Sequence, residues 1–337
     1  MATTGHPRRE PLRSLTALLD DTDQVLRRGE AAGARVWHTG FPALDHALTG
    51  GFRSGELVLL GGPQGDGKTT LGLQLARNVV NAGESAVVFS YEHEAHTLLE
   101  RLISMEAAEA DPGEVATVHE VRRALEAGSG GASLGTLLSG LRGGTGAYAA
   151  LVGYGERLHV HESSGVFTTL EEVATVVADV ARRTGRAPFV LLDYLQKVPT
   201  RGAAEDDRTT IAVEGLKQLA LDMGIPVVAV SAADKESLGA GHRMRTHDLR
   251  GSSALAFEAD VVMIINDKVD VVSREHLVYD LGNVARFRDW SVLTLEKNRH
   301  GRAHLELEFT KDFEHGRFHT EGREVAERLI DDRVIVS

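Results

Sequence analysis

The sequence predicts an α/β fold with a mostly parallel central sheet that carries helices on both faces. Three observations support this. Short apolar segments of strand length alternate with segments whose apolar residues recur at helical spacing, which is typical of parallel strands buried between helices. A glycine-rich turn joins the first of these strands to a helix. The last two strands are joined through a polar turn at 298–301, so we expect a C-terminal β-hairpin.

The predicted elements follow in chain order from the residue patterns. Strands are predicted at 57–60, 86–90, 189–193, 226–231, 261–265, 292–296 and 305–309. Helices are predicted at 95–105, 170–183 and 209–223, and another directly after the glycine-rich turn, where Leu71, Leu75 and Val79 recur. The stretch 107–155 is rich in Gly and Ala and has weak periodicity, so we interpret it as a surface insertion with helical parts.

The first 35 residues are expected to form a separate segment. Residues 1–10 have the composition of a disordered start, and between 11 and 33 leucines recur at helical spacing among charged residues. Gly33 is the expected end of this helix. A single apolar stripe needs a surface to pack against, either in its own domain or on a neighbouring subunit. The sequence thus predicts a disordered start and linker helix over 1–35 and one domain over 36–337, with no internal repeat to indicate a second copy.

Composition excludes several kinds of site. The chain has 337 residues, 42% of them hydrophobic, and no cysteine, so a sizeable core is possible while disulfides, thiolate zinc sites and cysteine nucleophiles are excluded. The first residues have no apolar core resembling a signal peptide, and no run approaches about 18 apolar residues. We therefore expect a soluble, cytoplasmic protein without membrane contact. Because the net charge is −12, any contact with nucleic acid must come from a local basic patch.

Residues 62–69 fit the pattern G-x-x-x-x-G-K-[ST], the phosphate-binding loop of nucleotide hydrolases. An apolar strand enters the loop and an amphipathic helix leaves it, so backbone N–H groups and the helix N-terminus can surround a phosphate. Lys68 is expected to reach the β- and γ-phosphates, and the Thr69 hydroxyl to ligate Mg²⁺. The sequence therefore predicts a site for a nucleoside triphosphate with Mg²⁺. The residues expected to bind the nucleotide are Gly62, Pro63, Gln64, Gly65, Asp66, Gly67, Lys68, Thr69 and Thr70.

Two carboxylates at strand ends complete the predicted chemistry. The apolar strand at 189–193 ends in Asp193, a pattern that places an acid beside Mg²⁺ at the carboxyl edge of the sheet. The strand after the phosphate-loop helix leads into Glu92, which can accept a proton from the water that attacks the γ-phosphate. Glu94 is the rival candidate for this base. Glu92 is preferred because it lies nearer to the end of the strand.

The order of the motifs resembles the ATPase domain of DnaB-type replicative helicases, within the wider RecA-like group. The resemblance runs from about residue 39 to residue 318. It rests on TGFPALD with GGFRSGELVLL, FSYE followed by LLERLIS, LLDYLQKV, HDLRGSSALAFEADVVMII, and LEKNRHG. It implies a RecA-like domain that hydrolyses ATP with Mg²⁺ between the subunits of a homo-oligomeric ring, usually a hexamer, as the ring moves along single-stranded DNA. Loader, replication or recombination proteins are further implied partners.

The resemblance also assigns a role to the last hairpin. Lys297 and Arg299 match the family's basic pair that reaches the γ-phosphate of the neighbouring subunit. A cation presented from a hairpin tip stabilises charge in the transition state, and such fingers contribute about 10³–10⁵ in rate. The predicted catalytic residues are therefore Glu92, Lys68, Arg299 and Lys297.

Two loops are candidates for contact with DNA. Residues 200–208 follow the DYLQ strand, and residues 235–250 contain Arg243, Arg245 and Arg250. A glycine-flanked basic loop can follow a phosphate backbone without reading bases. Neither loop has an aromatic residue for base stacking, so the residues alone leave open the alternative of a solvated charged face.

Two departures from the family pattern leave a second function open. Where the family has a Gln after the Val-Ser of the fourth strand, this chain has Ala232; that Gln can sense the γ-phosphate and relay its state to the DNA loops. The 11–33 helix stands in place of the family's N-terminal helical domain, so a paralogue or mobile-element role is expected over housekeeping replication. With the acidic charge, these departures support the alternative of a non-translocating RecA- or KaiC-like regulatory ATPase that controls assembly or a protein partner.

Overall fold

The computed structural model describes residues 12–111, 113–128, 130–200, 205–233, 242–273, 276 and 281–330. The strands, in chain order, are β1 (Val36–Trp37), β2 (Phe52–Arg53), β3 (Leu57–Gly61), β4 (Ala86–Ser90), β5 (Leu158–Glu162), β6 (Phe189–Asp193), β7 (Val227–Val230), β8 (Val261–Asp267), β9 (Trp290–Asn298), β10 (Leu305–Asp312), β11 (Arg317–Phe318) and β12 (Arg323–Glu324). The helices are α1 (Leu15–Arg27), α2 (Pro42–Ala47), α3 (Lys68–Asn81), α4 (Ala95–Ala110), α5 (Val118–Ala127), α6 (Leu134–Ser139), α7 (Gly144–Tyr154), α8 (Leu170–Thr184), α9 (Glu205–Met223), α10 (Ser252–Glu258), α11 (Lys268–Val271) and α12 (Leu281–Arg288).

Ten of the described strands form one sheet, in the order β11-β10-β9-β8-β3-β7-β6-β4-β5, with β12 also pairing with β10. From β8 to β5 every neighbouring pair is parallel. Strand β9 pairs antiparallel with β8 and with β10. Strands β1 and β2 form a separate two-stranded ribbon. The predicted mostly parallel sheet with a C-terminal β-hairpin is thus confirmed.

The parallel strands are apolar on both faces because helices cover both sides of the sheet. Alternate residues of β3 divide between two hydrophobic cores. Val58 and Leu60 pack with α2 and α3, whereas Leu57 and Leu59 pack with α8 and α9. Strands buried in this way show continuous apolar runs, which is why each predicted strand is present with ends that differ by at most three residues.

The strands that the sequence did not predict are short or lie at an edge of the sheet. Strand β5 is the outermost strand beside β4, and its residues are mostly half-buried, so polar residues alternate with apolar ones and no apolar run forms. Strands β1, β2, β11 and β12 have two residues each, too few for a pattern. Helix α4 extends to Ala110 beyond the predicted 105, and α9 begins at Glu205 before the predicted 209.

The stretch interpreted as an insertion, 107–155, contains helices α5, α6 and α7. Together with α4 these helices form a small hydrophobic core, in which Val121 is fully buried. A buried ion pair ties this core to α3: Arg77 donates two hydrogen bonds to the Glu106 carboxylate, at 2.6 and 2.7 Å. The hydroxyl of Tyr154, the last residue of α7, donates another to Glu106 at 2.7 Å. The insertion is therefore joined to the phosphate-loop helix through Glu106 of α4.

Helix α1 stands apart from the hydrophobic cores. Its N-cap is Ser14, and none of its own residues is buried. Leu15, Leu19 and Leu26 are exposed, so the described part of the chain leaves the leucine stripe uncovered. The helix ends at Arg27, six residues before the expected end at Gly33. Neither α1 nor any other helix in the described ranges is long and apolar enough to span a membrane.

Candidate active site

The phosphate loop lies between β3 and α3, at the carboxyl edge of the parallel strands. Gly67 has a φ of 92°, and a Cβ at this position would lie 2.6 Å from the Phe313 ring, so glycine is required here. At Gly62 a Cβ would lie 2.5 Å from the carbonyl oxygen of Ile265. The loop is therefore packed closely against β8 and against the turn that follows β10.

The Lys68 side chain lies along the phosphate loop, with its ammonium group against the backbone. Its Nζ donates hydrogen bonds to the carbonyl oxygens of Gly62 at 2.7 Å and Pro63 at 2.6 Å. Burial lowers the pKa of Lys68, while nearby carboxylates, Asp66 first, act in the opposite direction. A buried cation at this position can meet phosphate oxygens without first being moved from solvent.

Thr69 and Asp193 meet at the first turn of α3. The Thr69 hydroxyl donates a hydrogen bond to Oδ2 of Asp193 at 2.6 Å. Burial raises the pKa of Asp193, and the hydrogen bond from Thr69 opposes that shift. A hydroxyl and a carboxylate oxygen are hard donors of the kind that Mg²⁺ takes in nucleotide sites, where phosphates and waters complete the coordination. The residues present therefore fit Mg²⁺, and the described ranges contain no cluster of three acidic or histidine side chains that would suit another metal.

The structure separates the two candidate bases. Glu92 lines the cleft that also contains Lys68 and Asp193. Glu94 is the N-cap residue of α4 and does not line the cleft. Of the two glutamates, only Glu92 is thus brought to the phosphate loop, at the end of β4 as the sequence predicts.

The cleft beside the phosphate loop has a volume of about 560 Å³. Of the predicted site residues, those that line it are Gly62, Gln64, Gly65, Gly67, Lys68, Thr69, Thr70, Glu92 and Asp193. Pro63 and Asp66 do not line it. The nine lining residues come from three separate segments of the sequence, which meet because β3, β4 and β6 end at the same edge of the sheet.

Asp66 differs from its neighbours because its side chain is directed to β8. Its Oδ2 accepts a hydrogen bond from the backbone N–H of Asp267 at 2.9 Å. Burial, with the nearby Asp267 carboxylate, raises the pKa of Asp66 to about 6. Lys311 in turn donates to both carboxylate oxygens of Asp267, each at 2.8 Å. The Asp66 side chain therefore anchors the loop, and only its backbone is left to contact a nucleotide.

Lys297 and Arg299 lie at the amino-terminal ends of the parallel strands, whereas the phosphate loop lies at their carboxyl ends. Asn298, between them, pairs with Val261 at the start of β8, and the Arg299 N–H donates to the Asp260 carbonyl at 2.9 Å. Strand β3 pairs with β8, and its five residues span the distance from this end of the sheet to the phosphate loop. At about 3.3 Å per residue the separation is on the order of 15 Å. The structure therefore does not bring this basic pair to the phosphate loop of its own chain.

Both cations of the hairpin tip have partners within the chain. An Arg299 guanidinium nitrogen lies 2.9 Å from Oδ1 of Asp260, with 51% of the Arg299 side chain exposed. The Lys297 ammonium donates to the carbonyl oxygen of Ala256 at 2.8 Å. Burial lowers the pKa of Lys297, and the charge of Arg299 lowers it further. Arg299 is the more accessible of the two cations.

The structure corrects the prediction for Arg243. Only 2% of this residue is exposed, and its guanidinium forms an ion pair with Glu306 and a hydrogen bond to Thr294 Oγ1 at 3.2 Å. A guanidinium buried in this way cannot follow a DNA backbone. Its role is to hold the segment before α10 against β9 and β10.

The other predicted DNA contacts are only partly described. The guanidinium of Arg245 is largely covered and lies 2.6 Å from Oε1 of Glu296, so it has little surface to offer. Arg250 is exposed, and its contact with DNA remains a prediction. Residues 201–204 and 234–241, which carry much of the two predicted loops, lie outside the described residues.

The side chain of Gln196 lies beside Ala232. Ala232 stands at the position where the family pattern has a glutamine. Gln196 Oε1 accepts a hydrogen bond from the Ala232 N–H at 3.0 Å, and its Nε2 donates to Ser231 Oγ at 2.9 Å and to the Arg250 carbonyl at 3.3 Å. Ala232 lines the nucleotide cleft. The side chain therefore bridges the edge of the cleft and the segment that carries Arg250. Gln196 belongs to the DYLQ stretch, but nothing in its spacing signals this contact.

The cleft has a second wall, opposite the phosphate loop, that the sequence patterns do not predict. Arg101 on α4, Val118 and Arg122 on α5, and Phe313 and Gly316 after β10 all line it. These residues come from distant segments and follow no contiguous motif. The available signal was weak: Arg101 lies in the LLERLIS stretch, but the other four carry no pattern of their own.

The chain matches the family described as DnaB-like helicase C terminal domain, over residues 37–120 and 155–319. The replicative DNA helicase DnaB of Haemophilus influenzae is 27% identical over 260 residues, which cover 74% of this chain and 50% of the relative. The replicative DNA helicase DnaC of Bacillus subtilis is 25% identical over 257 residues, covering 74% and 51%. The chain thus spans about half the length of the curated relatives it matches.

Solved structures share the fold at lower identity. The ATPase domain of G40P has a TM-score of 0.69 at 17% identity, covering 90% of this chain and 98% of that one. A KaiC-like protein from Pyrococcus horikoshii has a TM-score of 0.52 at 16% identity, covering 85% and 98%. The likeness to DnaB-type ATPase domains confirms the predicted RecA-like α/β class.

Proposed function

The chain belongs to the family of DnaB-like helicase C-terminal domains, and from this membership and the geometry of the cleft we propose that it is an ATP-driven motor on single-stranded DNA. The observation that carries the proposal is the meeting of Lys68, Thr69, Asp193 and Glu92 around one cleft. These groups supply a phosphate-binding cation, two ligands for Mg²⁺ and a base. The proposed reaction is hydrolysis of ATP to ADP and phosphate.

Each of these groups has a distinct task in the proposed reaction. The loop backbone and Lys68 bind the β- and γ-phosphates. Thr69 and Asp193 would hold Mg²⁺, which would supply positive charge at the phosphate oxygens. Glu92 accepts a proton from water as the water oxygen bonds to the γ-phosphorus and the bond from that phosphorus to the ADP oxygen breaks.

We propose that a neighbouring subunit completes the site. Arg299 lies on the order of 15 Å from the phosphate loop of its own chain, as judged from the strand rise. The γ-phosphate that it contacts must therefore be bound to another copy of the chain. Lys297 is the second member of the proposed pair, although its ammonium is held by backbone carbonyls of α10. The arrangement supports a homo-oligomeric ring, proposed as a hexamer, with ATP bound between subunits.

The proposed partners follow from the same assembly. The exposed leucine stripe of α1 is proposed to pack on an adjacent subunit. One solved structure that shares the fold is described as a DnaB-like replicative helicase with its interactions with primase, and replication, loader or recombination proteins are proposed as partners here. The proposed location is the cytoplasm, on the nucleoid when DNA is bound.

The alternative, a non-translocating RecA- or KaiC-like regulatory ATPase, is not favoured by the comparisons. The TM-score is 0.69 with the G40P ATPase domain but 0.52 with the KaiC-like protein. Ala232, one of the departures that supported the alternative, donates its N–H to the Gln196 side chain, so a glutamine amide is present at this edge of the cleft.

DNA stimulation tests the proposed function. Single-stranded DNA is expected to raise the steady-state rate of phosphate release at saturating ATP. Replacing Arg250 by Ala should weaken DNA binding on all sequences and flatten the slope of log K against log salt by about 0.7 per lost contact. Arg182, exposed on α8, is the matched control, and its replacement should change neither quantity. A wild-type protein that hydrolyses ATP at the same rate with and without DNA would instead favour the regulatory alternative.

Gln196 is expected to couple the cleft to the DNA segment. Replacing it by Leu keeps the side-chain size but removes three hydrogen bonds, each of which contributes about 1 kcal/mol. Basal hydrolysis should stay near the wild-type rate, while the stimulation by DNA should fall by about tenfold or more, since about 1.4 kcal/mol corresponds to a factor of ten. Gln218, exposed on α9 and bonded to Asp222 at 2.6 Å, is the control for Gln→Leu replacement. Full stimulation in the Gln196→Leu variant would show that coupling takes another route.

A further inference from the structure

The second wall of the nucleotide cleft faces the phosphate loop from the insertion side. It consists of Arg101, Val118, Arg122, Phe313 and Gly316. The family match ends at residue 120 and resumes at 155, so Arg122 belongs to a stretch that the family pattern does not cover. A triphosphate bound with Mg²⁺ would occupy the phosphate-loop side of the cleft, which would leave this wall for another part of the ligand.

Helix α5 is fixed so that one face points into the cleft. Its N-terminus carries a capping box in which the Thr117 side chain accepts from the Glu120 N–H and the Glu120 carboxylate accepts from the Thr117 N–H. Val121, on an adjacent side of the helix, is buried in the small core shared with α4. Val118 and Arg122 are one helical turn apart and share a face, and both line the cleft. Their position is therefore set by the helix and not by a mobile loop.

Arg122 is held at the rim of the cleft by an ion pair. Its Nε donates to Oε2 of Glu100 at 2.8 Å, while 42% of its side chain remains exposed. The next residue, Arg123, is exposed and does not line the cleft. The pairing leaves the plane of the Arg122 guanidinium available for stacking, since only its edge is used by the carboxylate.

Phe313 faces the cleft from the other side of the phosphate loop. Its ring packs edge-on against Phe318, with centroids 5.3 Å apart at 90°, and it lies against Gly67. The residue is 39% exposed, so part of a fixed aromatic ring borders the cleft. An aromatic ring, a guanidinium plane and an aliphatic side chain together suit a flat heterocycle.

We propose that helix α5 and Phe313 form the subsite for the base of the bound nucleoside triphosphate, and that Arg122 stacks on that base. The insertion then contributes to nucleotide recognition in this chain. The inference rests on the proposed function only in requiring a nucleotide at the phosphate loop. The cleft of about 560 Å³ is within the range that holds a ligand of nucleotide size.

The test compares a ligand that has a base with one that lacks it. Dissociation constants are measured with Mg²⁺ for a non-hydrolysable ATP analogue and for inorganic tripolyphosphate, using the full chain and the variants Arg122→Ala, Phe313→Ala and Arg123→Ala. Loss of one stacking partner is expected to weaken the ATP analogue about tenfold in the first two variants. Tripolyphosphate should bind all of the proteins equally well, which also shows that the phosphate loop remains folded. Arg123→Ala should match the wild type with both ligands.

The outcomes separate this inference from the proposed function. Equal weakening of both ligands in Arg122→Ala would assign Arg122 to the phosphates and overturn the base subsite. Unchanged binding of the ATP analogue in both Arg122→Ala and Phe313→Ala would overturn it as well, while leaving the proposed ATP site in place. A wild-type protein that binds neither ligand would overturn the proposed function and this inference with it.

Discussion

Replacing Glu92 by glutamine is expected to leave ATP binding nearly unchanged and to reduce hydrolysis about 10²–10⁴-fold. Glu92 lines the cleft with Lys68 and Asp193, but the contacts that bind the phosphates come from the loop and Lys68. The amide keeps the size of the side chain and cannot accept the proton of the attacking water. A loss in kcat without a loss in nucleotide affinity is the expected signature of a base that acts only in the transition state.

Glu94→Gln is the matched control for this prediction. Glu94 is also exposed and lies two residues away, but it is at the N-cap position of α4, outside the cleft. The measurements are single-turnover hydrolysis and the affinity for a fluorescent ATP analogue, made on both variants. An active Glu92→Gln protein beside an inactive Glu94→Gln protein would exchange the two assignments. A drop in nucleotide affinity as large as the drop in rate would assign Glu92 to binding.

The meeting of the loop residues with Asp193 at one cleft could be predicted because these residues are contiguous or end an apolar strand. The loop at 62–69 is a single motif, and Asp193 follows a strand buried on both faces. A parallel sheet brings the carboxyl ends of its strands to one edge, so such residues meet whatever lies between them in the chain. The fold could be predicted for the same reason, since burial on both faces imposes continuous apolar runs.

The remaining parts of the site depend on contacts that no local pattern encodes. Arg122 and Phe313 line one cleft but come from segments nearly two hundred residues apart. The prediction for Arg243 was wrong because a loop arginine has the same local sequence whether it faces solvent or pairs with Glu306, 63 residues further along the chain. The contact between Gln196 and Ala232 likewise joins two strand ends through tertiary packing.

Replacing Arg299 by alanine is expected to preserve ATP binding and to reduce hydrolysis about 10³-fold or more. The fold should tolerate the change, because Asp260 keeps the Lys217 ammonium at 2.6 Å and the Leu57 N–H at 2.8 Å. Arg302 is the matched control: it belongs to the same hairpin turn and is largely exposed, so Arg302→Ala should hydrolyse ATP at the wild-type rate. Equal losses in the two variants would indicate a general effect of charge at the tip.

Mixing the Arg299→Ala and Glu92→Gln proteins tests whether the finger acts between subunits. If Arg299 serves a neighbour's cleft, a mixed ring contains interfaces in which an intact Glu92 faces an intact Arg299, and activity should rise above that of either variant alone. A finger that acted within its own chain would give no rescue at any mixing ratio, because every subunit would still carry one broken group. Pull-down of differently tagged chains verifies that mixed assemblies form. Mixed assemblies without rescue would contradict an inter-subunit active site. They would also contradict the proposed ring, because the hairpin tip lies at the end of the strands opposite the phosphate loop and Arg299 would then contact no nucleotide.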